Sequence, residues 1–162
     1  MKKMAIVIIA SMVIGIGILS GCTEKTAIEN KQTPQYQDDE FYTWILTTTT
    51  EIKKQSNTIV NTTNSKDWYS CNRMAGELFD FCVTTDVKIA QYNHLSPTAT
   101  AVRDEFQNIS NNTRLFATAM METSLYSLNN EPTEANNYRK LAIYYQEEIF
   151  IHVISMIKLM YQ

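Results

Sequence analysis

From Phe41 onward, apolar and small residues recur at helical spacing. Phe41, Ile45, Thr48, Ile52, Gln55 and Ile59 follow at alternating steps of four and three, which is one face of a helix. Asp38, Asp39 and Glu40 precede them and suit the positive end of a helix dipole. Asn61-Thr62-Thr63-Asn64-Ser65 predicts a turn by composition. A second helix is predicted by Trp68, Cys71, Ala75, Leu78, Cys82, Thr85, Ile89 and Tyr92, whose steps of three and four match the seam of a packed bundle. Asn93 to Pro97 is the next break, with Ser96 able to cap a helix whose first residue is Pro97. Val102, Phe106, Ile109, Thr113, Phe116, Met120 and Thr123 predict the third helix, which Asn129-Asn130-Glu131-Pro132 closes. Tyr138, Ala142, Tyr145, Ile149, His152, Met156 and Leu159 predict the fourth. Its apolar face is wide, because Leu141, Ile151, Val153 and Ile157 lie beside the seam.

The first residues follow a different pattern. Lys2 and Lys3 are followed by an uncharged apolar run, Met4 to Leu19, and then by Leu19-Ser20-Gly21-Cys22. A basic start, an apolar stretch and small residues before a cleavage point make a secretory signal, which takes no part in the fold. The run is shorter than the ~20 residues a spanning helix needs. Leu19-Ser20-Gly21-Cys22 resembles the lipobox of prokaryotic lipoproteins, in which a branched apolar residue and two small ones precede a cysteine. The resemblance covers residues 1–22 only. It implies cleavage between Gly21 and Cys22, a diacylglyceryl thioether on the Cys22 sulfur, and an extracytoplasmic, membrane-anchored product at the cell surface or in the periplasm. Residues 1–21 are then the signal, 22–37 a polar, lipidated, flexible tether, and 38–162 the folded domain.

Composition narrows the architecture. Beyond residue 21 the only glycine is Gly76, and the prolines are Pro34, Pro97 and Pro132. Sandwiches and barrels need many turn residues, so this scarcity favours long helices. Short connections between long helices favour antiparallel neighbours, and the expected fold is all-α, an up-down four-helix bundle. The whole chain carries 14 basic and 17 acidic residues. Removing Lys2 and Lys3 leaves 12 − 17 = −5. Scattered, mildly acidic charge argues against a nucleic-acid partner, which would need a basic stripe. It also leaves membrane attachment to the lipid, whose two acyl chains anchor firmly.

Candidate chemistry is sparse. Cys71 and Cys82 are eleven residues apart, three helical turns, or about 16 Å along a continuous axis. A disulfide needs Cα atoms within about 7 Å, so pairing them requires a break at Gly76. Burial on the seam, or pairing across chains, are the other readings. Glu148 and His152 share a face one turn apart, with Tyr145 nearby, and these three are the ligand-pocket candidates. One Glu-x-x-x-His and two histidines fall short of a zinc or di-iron ligand set. The absence of Cys-x-x-Cys-His excludes covalent haem, leaving only ligation by His152 and a methionine such as Met120. No cofactor, and no catalytic or metal-binding residue, is therefore assigned. Asn61, Asn108 and Asn111 each begin an Asn-x-Ser/Thr sequon. The expected function is binding rather than catalysis, by a helical interaction module that presents a helix face to another envelope protein or to itself. A small-molecule or stress sensor is the alternative, and a metal or haem protein the third reading.

Overall fold

Four helices form where the apolar stripes predict them: α1 (Asp38–Asn64), α2 (Trp68–Ile89), α3 (Pro97–Leu128) and α4 (Pro132–Met160). They come from a computed structural model that describes residues 36–161. The expected signal segment with Gly21 and Cys22, and the expected tether as far as residue 35, lie outside the described residues.

Local chemistry sets the ends. The Asp67 side chain accepts from Ser70 N at the start of α2, and the Ser96 side chain accepts from Ala99 N ahead of Pro97. Two turns do without glycine. Lys66 and Asn130 take the left-handed conformation, with φ of 61° and 57°. Around Lys66, Asp67 N donates to Thr62 O and Lys66 N to Thr63 O, the paired bonds of a Schellman cap. Glu131 N to Tyr126 O and Asn130 N to Ser127 O repeat the pattern after α3.

Cross-helix contacts fix an antiparallel bundle. Thr63 meets Cys71 at one end of the α1–α2 pair, and Trp44 stacks on Tyr92 at the other. Asn72 reaches Met121 and Ser110 reaches Asp86 between α2 and α3. Tyr126 stacks on Tyr138, and Glu105 meets His152, between α3 and α4. The helix α3 is central, with close backbone neighbours in α1, α2 and α4. Among the described residues, α4 approaches only α3 at the backbone level.

The core has two parts. One end packs Phe41, Ile45, Ile89, Tyr92, Phe106 and Met156, drawn from all four helices. The other packs Ile59, Cys71, Leu78, Phe116, Met120 and Ala142, again from all four. Burying this apolar surface, at ~25 cal/mol per Å², drives the fold. Threonines enter the core because their hydroxyls bond back into their own helix. Thr113 Oγ1 donates to Ile109 O at 2.7 Å, and Thr123 Oγ1 to Ala119 O at 2.8 Å.

Two sequence expectations are corrected. The turn expected at residues 61–65 begins four residues later, at Ser65, because α1 runs to Asn64 and buries Thr63, whose hydroxyl bonds to Ile59 O. The seam position expected at Gln55 belongs to Ser56, while Gln55 stays half-buried and donates to Glu51 Oε1 at 3.0 Å.

Candidate functional site

The pocket candidates Tyr145, Glu148 and His152 all lie half-buried on α4. They do not act as one constellation. His152 Nδ1 lies 2.7 Å from Glu105 Oε2, on α3, rather than against Glu148 one turn away. Tyr145 packs against the second core part and meets Tyr144 edge to face at 5.4 Å. The His152–Glu105 pair is a clasp between neighbouring helices. Sequence spacing within α4 could not reveal it, because its partner is 47 residues away. Among the described residues, no group of three or more His, Cys, Asp or Glu is placed to hold a metal ion.

A second polar cluster joins α2 to α3. Ser110 Oγ donates to Asp86 Oδ1 at 2.7 Å, and Arg114 Nη1 lies 3.2 Å from Asp86 Oδ2. Cys82 adjoins this cluster and is fully buried; like Cys71, it is a free thiol. The helix is continuous through Gly76, so the two cysteines stay on one face three turns apart. Burial, reinforced by the Asp86 carboxylate, pushes the Cys82 thiol up to about 12. A protonated, buried thiol is a poor nucleophile. Alkylation at pH 8, followed by mass spectrometry, should therefore leave Cys82 unmodified in the folded protein and modify it in urea. The folded chain keeps this proton up to about pH 12, while the unfolded chain releases it near the ordinary value of 9.0. The stability tied to Cys82 is thus complete below pH 9 and is lost as pH rises toward 12.

The start of α1 forms a third feature. Gln37 N donates to His94 O, and Ser96 N donates to Asp38 Oδ1, tying the first residues of α1 to the α2–α3 connection. Trp44 stacks on Tyr92, and Lys88 Nζ sits 5.3 Å from the Trp44 ring. Two open concavities lie here, of about 450 and 440 Å³, the first lined by Trp44, Lys88 and Tyr92 and the second by Tyr36 and His94. Asp39 and Glu40 border both. Tyr145, Glu148 and His152 line neither.

The outer side of α4 is the feature most unlike an ordinary bundle surface. Only Ala135, Ala142 and Met156 of this helix are buried. Ile143, Tyr144, Phe150, Ile151, Ile154 and Tyr161 are 37–73% exposed. Single exposed apolar residues are ordinary, but a group of this size on one helix is uncommon on a bundle surface. No described helix is long and apolar enough to cross a membrane. No protein family, no curated protein and no solved structure matches this chain.

Proposed function

We propose that this protein is a lipid-anchored, extracytoplasmic interaction module. The lipid on Cys22 holds the bundle at the membrane, and the outer face of α4 docks a protein partner. The lipobox-like run ending at Cys22 supports the anchor. The observation that carries the docking role is the exposed apolar face from Ile143 to Tyr161. Leaving such a surface in water is unfavourable, and covering it with a partner recovers about 25 cal/mol per Å².

Two readouts on expressing cells test the two halves. Metabolic labelling with a clickable fatty acid should mark the wild-type chain, which should migrate as the processed form. Cys22→Ala should be unlabelled and unprocessed. A wild-type chain without label ends the anchor. Native electrophoresis of solubilised membranes should show the wild type in a complex larger than one chain, and Phe150→Asp as a single chain. A wild type that runs as one chain ends the docking role.

A further inference from the structure

Glu147 and Lys158 stand within the apolar face of α4, between Ile143 and Tyr161. Both are exposed, and neither has an ion-pair partner among the described residues. They are eleven residues apart, three helical turns, and so lie along one line of the helix about 16 Å from each other. An unpaired charge inside an interface is costly, so the occupant of this face must offer a base opposite Glu147 and an acid opposite Lys158, at the same separation.

A second copy of α4 running antiparallel meets that requirement. We propose, building on the docking role above, that the α4 face closes against its own twofold mate. The axis passes between His152 and Val153, the midpoint of Glu147 and Lys158. Glu147 of each chain then faces Lys158 of the other, giving two reciprocal pairs. The same operator sets Phe150 and Ile151 against Ile154 of the other chain, and Ile143 near its Tyr161. A parallel pairing would instead oppose Glu147 to Glu147 and Lys158 to Lys158, which repels.

The area is sufficient. With roughly 100 Å² exposed on each, the six apolar residues offer on the order of 1,200 Å² over a pair, the lower edge of specific interfaces. A membrane surface suits this face less well. Interfacial helices carry mostly Lys and Arg on their polar flanks, whereas α4 carries both signs and the chain is acidic overall.

Cysteine cross-linking of the full lipidated chain in its own membranes, with a short bis-maleimide, tests the geometry. Cys71 and Cys82 are buried, so the wild type is the background control. In the antiparallel pair, Ile154 lies about 4.5 Å along the axis from its own mate, across helices ~8–10 Å apart. Ile143 lies about 28 Å from its mate. Ile154→Cys should therefore give a covalent homodimer and Ile143→Cys should not. On the Ile154→Cys background, Glu147→Lys or Lys158→Glu alone should lower the dimer about tenfold, and the two together should restore it. Cross-linking at both cysteine positions, or a double swap that fails to restore the dimer, overturns the antiparallel pairing. If Ile154→Cys gives no homodimer, the second copy is overturned. The docking role survives that result if Ile154→Cys is instead joined to a different protein, and falls with it if no protein is joined.

Discussion

Replacing Phe106 with alanine should lower the free energy of unfolding by about 3–5 kcal/mol. Phe106 is fully buried on α3, and its ring meets Trp44 edge-on at 5.4 Å. It shares one core part with Phe41 and Ile45 of α1, Ile89 of α2 and Met156 of α4. Every helix therefore loses packing when the ring is removed. The central position of α3 also limits collapse, since moving its backbone toward the void would pull it from another neighbour. A domain of this size is stabilised by only about 5–15 kcal/mol, so one ring is a large share of the total. Urea unfolding, followed by the helical circular dichroism signal, measures the change. Leu115→Ala, on the same helix but 45% exposed, should stay within about 0.5 kcal/mol of wild type. A Phe106→Ala loss below about 1 kcal/mol would mean that this end of the core is loosely packed.

The stripes on α2 and α3 were legible because large apolar residues recur along one face of each at helical spacing. Cys71, Ala75, Leu78, Cys82, Thr85 and Ile89 are all buried, as are Val102, Phe106, Ile109, Thr113, Phe116, Met120 and Thr123. The end of α1 was harder to read. Asn and Thr at 61–64 look like a turn, yet buried Thr63 is held by its own helix and by Cys71 Sγ at 3.2 Å. Tertiary burial overrides composition there. The bond between His152 and Glu105 was invisible because it joins two helices. The predicted seam of α4 is correct in direction but only half-buried at Tyr138, Tyr145, Ile149, His152 and Leu159. Spacing gives the direction of a seam, but how deeply neighbouring helices cover it is set by tertiary packing, and α4 is apolar on its outer side as well.

Two aspartates on α4, six residues apart, separate those stripes physically. Met156 is fully buried in the core part containing Phe41 and Phe106. A carboxylate there loses its hydration, which costs several kcal/mol. Met156→Asp should thus lower the unfolding free energy by about 3–5 kcal/mol, and raising the pH should worsen the loss as the carboxyl ionises. Phe150 is 47% exposed on the outer side. Phe150→Asp introduces the same charge into the same helix, and the nearby Glu147 adds only about 0.2–0.5 kcal/mol of repulsion. Its unfolding free energy should therefore stay within about 1 kcal/mol of wild type, while its complexes in membranes dissociate. Equal destabilisation by the two aspartates would make Phe150 part of the monomer core and remove the free face on which the docking role rests. A large loss at Met156 with near-wild-type stability at Phe150 would divide α4 into a side that holds the bundle together and a side that does not, and the second side then owes its six apolar residues to association rather than to folding.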